Sequence, residues 1–371
     1  MIRAILQAAG KKVGMIGTTG TMIGDVVTPT LNTTPESYEL HQAFSQMVEA
    51  GCEYAVMEVS SQGIKMHRTD GLYFDYGIFT NISPDHIGPG EHADFEEYLY
   101  YKTRLLNMCR IGLVNKDDEH AEQIIKAADC ELYTYSEKGK EANFSASDIR
   151  YVSQPDFVGT EFHISGKYDM EVRLGIPGLF NVVNALAAVS VCSFLDLDKE
   201  KISHALEHIR VNGRMEIVYT SERCTVLVDY AHNAVSMESL LSTLRDYKPK
   251  RLVCVFGCGG NRSKDRRYSM GEIGGKLADL SIITADNSRY EEVEDIIADI
   301  RGSIEKTGGS FIEIPDRREA IRYSILQAQP GDMVAVIGKG HEDYQEINGV
   351  RHHFLDREVI EETVKELGEK A

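Results

Sequence analysis

The feature that most constrains this chain is a recurring unit: an apolar run of strand length that stops at glycine or polar residues, followed by a helical stretch. In the second half "CTVLVDYAH", "RLVCVFGCGG", "LSIITADNS" and "DMVAVIGKGHE" are four such runs. Continuous apolar strands alternating with helices bury both faces of a sheet, as a parallel α/β fold requires. The first third repeats the pattern with "KKVGMIG", "YAVMEVSS" and "YGIFTNIS", interleaved with "SYELHQAFSQMVEAG" and followed by the helix-like "DFEEYLYYKTRLLNM". Between about 140 and 176 short alternating segments read as antiparallel strands and turns, and the helix "NVVNALAAVSVCSFL" follows. The fold class expected is therefore α/β, with two domains. A central doubly wound, mostly parallel sheet with an attached small antiparallel sheet occupies 1–213, and a second, Rossmann-like α/β domain occupies 214–371.

Composition narrows the partners. A net charge of −18 excludes nucleic acid or an anionic membrane as the main partner, because phosphate surfaces need clustered Lys and Arg. Any anionic ligand must meet positive charge that is local. The seven cysteines form no CxxC pair, so neither a zinc site nor a disulfide framework is indicated and a reducing cytoplasm fits. No apolar run approaches membrane-spanning length and the start lacks a signal-peptide pattern.

Ligands of parallel sheets bind at the carboxyl ends of the strands, which is where the unusual residues stand. Glu58 ends one predicted strand, His86 lies just past the next, and Lys102 sits on the helix after that. Singly, each is an ordinary polar strand end. Together, a carboxylate and an imidazole can share a divalent cation, although a lysine beside a metal is out of place. His86 and His92 with acidic neighbours allow another reading, a metal-dependent hydrolase, but no HExxH-like spacing supports it. "VFGCGGNR" is a glycine-rich turn and alone a weak phosphate signal; Cys254 and Cys258 beside it read as packed thiols.

Taken together, "NTTPES", "MEVSS", "FTNISPDH", "GLFNVVNALAA", "NGRMEIV", "VDYAH", "VFGCGGNR", "TADNSR" and "GKGHED" resemble the Mur ligase family over essentially the whole chain. These are ATP-dependent ligases of cytoplasmic peptidoglycan precursor synthesis, and the match is to members that add the third residue of the peptide stem. The resemblance implies ATP and Mg²⁺ as cofactors, with Glu58, His86 and a carbamylated Lys102 as the catalytic, metal-holding set. It places Thr33, Thr34, Ser60 and Arg68 against UDP-N-acetylmuramoyl-dipeptide, where turn formation, helix capping and a solvated arginine are the plain alternatives. Asn184, Arg214, Asp229 and His232 would reach ATP. Asp286, Asn287, Ser288, Arg289, Gly338 and Glu342 would face the incoming diamino acid.

Within the resemblance, Arg289 goes with meso-diaminopimelate, whose far carboxylate a guanidinium pairs through two hydrogen bonds. Ser288 in place of proline and the segment "TNISPDHIGPGEH" keep L-lysine open. Met66, "NGR" for Pro-Gly-Arg and "DYAHNA" depart from the usual pattern without removing a charged group. A folylpolyglutamate synthetase would share the fold but not the "DNSR…GKGHE" pair. A monomer is expected. The resemblance also puts a phosphate loop and a uridine-nucleotide domain ahead of a segment like "MIRAILQAAGKKVG". No G-x-x-x-x-G-K-[ST] occurs in the 371 residues, so a fragment that binds substrate without ATP turnover is the alternative expectation.

Overall fold

The computed structural model describes residues 1–368. They form two units. The first contains Met1–Ile149, Glu161–Leu174 and Phe180–Ile209; the second contains Arg150–Thr160, Gly175–Leu179 and the chain from Arg210 onward.

In the first unit the helix Ile2–Ala8 buries Ile5 and Leu6, and the chain leaves it through Gly10, whose φ of 82° a side chain would resist. The strand Val13–Gly17 pairs in parallel with Tyr54–Met57, as the pattern predicts. Its other edge carries an antiparallel hairpin, Gly20–Ile23 with Val26–Thr28, turning at Gly24–Asp25, which the sequence pattern does not predict. A second sheet runs in the order Met170–Leu174, Phe157–Ser165, Phe144–Gln154, Glu131–Ser136, Cys109–Asn115, Phe74–Phe79. Its last strands are parallel, so the alternating segment after 140 extends this sheet.

In the second unit the six-stranded sheet has the order Glu216–Thr220, Cys224–Asp229, Asp332–Ile337, Arg251–Phe256, Leu280–Ile283, Phe311–Glu313. The four apolar runs take the four central places and all pair in parallel. Cys224–Asp229 and Asp332–Ile337 are buried along their whole length, which explains the absence of alternation. The last of the four runs lies between the first two. The chain leaves this strand towards the Cys224–Asp229 side, where the helix Asp356–Glu366 packs, and leaves Arg251–Phe256 towards Leu280–Ile283, so a crevice opens between their carboxyl ends.

The boundary expected at 213/214 falls at 209/210, and the hairpin tip 150–160 and residues 175–179 belong to the second unit. Tyr247 accounts for this. Its hydroxyl bonds Thr160 Oγ1 and accepts from Gly178 N, both at 3.0 Å, and its ring lies 5.2 Å from that of Tyr151.

Candidate functional site

In the first unit Glu58 stands just after the strand Tyr54–Met57, and its Oε2 accepts from Thr18 Oγ1 at 2.7 Å and Thr18 N at 3.2 Å. Gly17 makes room, since a Cβ there would sit 2.9 Å from Glu58 Oε1. Thr33 shares a hydrogen bond with Thr18 across 3.1 Å. Thr34 is fully buried: its hydroxyl donates to the Glu58 carbonyl at 3.0 Å and accepts from Ser60 N at 2.9 Å. Ser60 caps the helix Ser61–Lys65 by accepting from Gly63 N. Arg68 donates to the Thr34 carbonyl and pairs with Glu36 at 2.8 Å. The Thr34 and Ser60 hydroxyls thus set the backbone around Glu58, while that of Thr33 bonds the Thr18 side chain.

His86 and Lys102 meet around one ring. His86, in the left-handed region at φ 55°, packs edge-on to Tyr98 at 5.8 Å, and the Lys102 ammonium lies 5.2 Å from the same ring. The helix Phe95–Thr103 that carries Lys102 begins at Asp94, which accepts from Glu97 N, while Glu97 reaches back to Ala93 N. Lys102 Nζ donates to the Asn81 carbonyl at 2.7 Å. Burial lowers its pKa below that of a free lysine, against the opposing pull of Asp118 and Asp85. His92 is not a surface ligand. It is fully buried, with Nε2 on Ser61 Oγ at 2.9 Å, and burial lowers its pKa. Among the described residues no group of three His, Cys, Asp or Glu is placed to hold a metal. Asn184 lies on the exposed face of the helix Leu179–Cys192.

In the second unit a cleft of about 460 Å³ lies at the carboxyl ends of the central strands. Its charged lining is Arg262, Arg266 and Arg289 against Asp286 and Glu342, with His232 and Tyr230 beside them. Four glycines let the loops close in. A Cβ on Gly257 would be 2.1 Å from the Thr284 carbonyl and one on Gly260 1.9 Å from that of Ser288; Gly213 and Gly340 are pressed together in the same way. The glycine-rich turn therefore serves loop-on-loop packing. Cys254 and Cys258 are buried, and burial pushes the Cys258 thiol up to about 12.

Arg289, itself at φ 52°, donates from Nη1 to the Gly260 carbonyl at 2.8 Å, with Nε 3.4 Å from Glu346. Asn287 donates to Glu342 Oε2 at 3.1 Å. Asp286 and Ser288 are buried, and Gly338 faces the Asp286 carboxylate, where a Cβ would come within 2.8 Å. Asp229 spends one oxygen on Met215 N and the other on Ala231 N; burial raises its pKa, with those two amides opposing. Arg214 stacks over Tyr230 at 4.9 Å, and His232 bonds the Tyr230 carbonyl. Arg262, Arg266 and Lys339 escaped the sequence reading. The first two follow a glycine-rich strand end, a signal that could have found them. Lys339 is the lysine of "GKGHED", whose spacing does not fit a phosphate loop, and nothing else in the sequence assigns it a role.

Family models match the same span: the Mur ligase middle domain over residues 1–192 and the Mur ligase glutamate ligase domain over 213–340. The UDP-N-acetylmuramoyl-L-alanyl-D-glutamate–2,6-diaminopimelate ligase of Caldanaerobacter subterraneus subsp. tengcongensis is 40% identical over 372 residues, covering 99% of this chain and 75% of the relative. The ligase of that name from Clostridium perfringens is 38% identical, covering 97% and 74%. A solved structure of a ligase with the same name superposes with a TM-score of 0.79 at 32% identity, over 100% of this chain and 76% of the other. A folylpolyglutamate synthase from Mycobacterium tuberculosis shares the fold at 16% identity, with a TM-score of 0.62 over 91% of this chain and 84% of the other. With both family models aligned in order and such relatives spanning nearly all of it, the chain belongs to the Mur ligase family.

Proposed function

We propose that this chain is an ATP-dependent amide-bond ligase that adds meso-diaminopimelate to UDP-N-acetylmuramoyl-L-Ala-D-Glu. The observation that carries the reading is the mixed charge of the second unit's cleft, three guanidiniums facing two carboxylates. An amino acid with a carboxylate and an ammonium at each end asks for both signs in one cavity, and its far carboxylate can compete with the Gly260 carbonyl and Glu346 for the Arg289 guanidinium, which the far ammonium of lysine cannot do. The relatives named above carry diaminopimelate in their printed names.

A carboxylate is a poor electrophile. ATP transfers its terminal phosphoryl group to the D-Glu carboxylate and ADP is released; the neutral amine of diaminopimelate then attacks the acyl carbon, the C–O bond to the phosphate breaks, and phosphate and the amine's proton leave. In the second unit Arg289 binds the far carboxylate, while Asn287 and Glu342 hold the far ammonium. Asp286, Ser288 and Gly338 shape the wall. In the first unit Thr33, Thr34, Ser60 and Arg68 shape the surface for the muramoyl-dipeptide. Asn184, Arg214 and His232 serve ATP, and Asp229 holds the backbone from which Arg214 projects. Glu58, His86 and a carbamylated Lys102 would supply oxygen and imidazole donors to Mg²⁺, which when bound would offset phosphate charge; His86 and Lys102 meet around Tyr98, while Glu58 is hydrogen-bonded to Thr18. The protein acts in the cytoplasm as a monomer; among the described residues no helix is long and apolar enough to cross a membrane.

The test is titration calorimetry of the chain with meso-diaminopimelate and with L-lysine. Diaminopimelate binds more tightly by a large factor, and Arg289→Ala removes most of the preference, a change of roughly 2–5 kcal/mol if the charged pair is desolvated. Equal or tighter binding of L-lysine by the wild type overturns the assignment.

A further inference from the structure

We propose that Lys339 is a positioning residue for this cleft: its buried ammonium locks Asn287 and Glu342 so that one Glu342 oxygen is presented to the far ammonium of the amino-acid substrate. The proposal rests on the reading of the cleft given above.

Lysine is almost never fully buried without a partner, yet Lys339 has no exposed surface. It sits directly after the strand Asp332–Ile337, between Gly338 and Gly340, both at positive φ, so the turn points the side chain back under the cleft. Its Nζ donates to Asn287 Oδ1 at 3.3 Å and to Glu342 Oε2 at 3.2 Å, and lies 5.3 Å from the Tyr344 ring. Lys339 does not line the cleft, but Asn287, Glu342 and Tyr344 do. Any effect on a ligand is therefore transmitted through them.

The hydrogen bonds around it leave little freedom. Asn287 Oδ1 accepts from Lys339 and from Glu346 N at 2.9 Å, and its Nδ2 donates to Glu342 Oε2 at 3.1 Å. With both ends of the amide occupied by groups of fixed polarity, a flip would set donor against donor. Glu342 Oε2 is committed to Lys339 and Asn287, whereas Oε1 has only a long bond from the Tyr230 hydroxyl at 3.4 Å. One oxygen is tied down and the other is left to the cleft. An apolar side chain in place of Lys339 would fill the space but release this constraint, and Glu342 could turn both oxygens away from the ligand.

The experiment compares two ligands on the 371-residue chain: meso-diaminopimelate and 2-aminopimelate, which keeps both carboxylates but lacks the far amine. Wild type binds diaminopimelate more tightly. Lys339→Met loses roughly tenfold for diaminopimelate, the size of one charge-assisted hydrogen bond, and less than about twofold for 2-aminopimelate. A merely structural lysine would weaken both ligands alike. Equal losses, or no loss for diaminopimelate, overturn the proposal while leaving the cleft reading intact. Failure of the wild type to bind either ligand overturns the cleft reading and the proposal with it. If Lys339→Met does not fold, Lys339→Gln, which keeps a donor without the charge, is read by the same criteria.

Discussion

The second unit contains a test of how its site loops are held. Arg317 and Asp356 are both fully buried and face each other in a two-bond fork, Nε to Oδ1 and Nη2 to Oδ2, each at 2.7 Å. The same guanidinium donates to the carbonyls of Ala285 at 3.3 Å and Ile337 at 3.0 Å. Those residues immediately precede Asp286 and Gly338, so one side chain holds both loops that carry the amino-acid residues. Arg317→Met leaves a carboxylate buried without its partner, which typically costs about 3–5 kcal/mol; the lost Ile337 bond adds roughly 1 kcal/mol, and the longer Ala285 bond less. Against a domain stability of about 5–15 kcal/mol this is a large fraction. The assay is urea unfolding followed by circular dichroism, since the chain has no tryptophan. The variant should lose about 4–6 kcal/mol. Arg317→Met with Asp356→Leu should recover most of that, because the unpaired charge is gone, yet should still bind diaminopimelate poorly because both carbonyls have lost their anchor. A loss under about 1 kcal/mol in the single variant, or an equal loss in the double, would refute the argument that desolvated charge sets the cost.

Three further predictions concern the separate units. Burial lowers the pKa of Lys102, so its amine becomes neutral at a lower pH than that of a free lysine, and the neutral amine is the form that adds CO₂ with release of one proton. With ¹³C-bicarbonate a carbamate resonance should grow between pH 6 and 8.5 and be absent in Lys102→Met; no resonance in the wild type would show that the lowered pKa is not used. Gly260→Ala would put a methyl 1.9 Å from the Ser288 carbonyl and should abolish diaminopimelate binding. Gly302→Ala, inside the helix Val293–Thr307 with open space around it, should stabilise the protein by about 0.5–1 kcal/mol in the same unfolding assay.

The parts of this protein legible in its sequence are those where one physical requirement acts alone. An apolar run ending in glycine or polar residues has to be a buried strand reaching a turn, and all four such runs in the second half are. Strand order is different. That Asp332–Ile337 inserts between Cys224–Asp229 and Arg251–Phe256 depends on contacts more than seventy residues apart and leaves no local mark. The short hairpins Gly20–Thr28 and Tyr344–His353 were missed because their outer strands are exposed and carry no apolar alternation. Thr34 and Ser60 were ambiguous for another reason: a hydroxyl beside a strand end suits a substrate and a backbone amide equally, and here it is the backbone that is bonded. Arg317 and Lys339 were invisible as site residues, since a charged side chain reads as surface until its buried partner is known.

The cleft also resolves a conflict in the charge. A chain of net charge −18 should disfavour the two carboxylates of a zwitterionic ligand. At physiological ionic strength, however, exposed charges are screened beyond about 8 Å, so a ligand inside a cavity responds mainly to its lining. The turn after Arg251–Phe256 and the helix that follows it supply Arg262 and Arg266, while the loop after Leu280–Ile283 supplies Arg289. Asp286 comes from that same loop, but Glu342 comes from the loop after Asp332–Ile337, on the other side of Arg251–Phe256. The sheet thus brings cations and anions together from separate strand ends. Raising salt should weaken diaminopimelate binding only modestly, because the interacting charges lie within the cavity; a steep salt dependence would mean that the arginines act as a diffuse surface field.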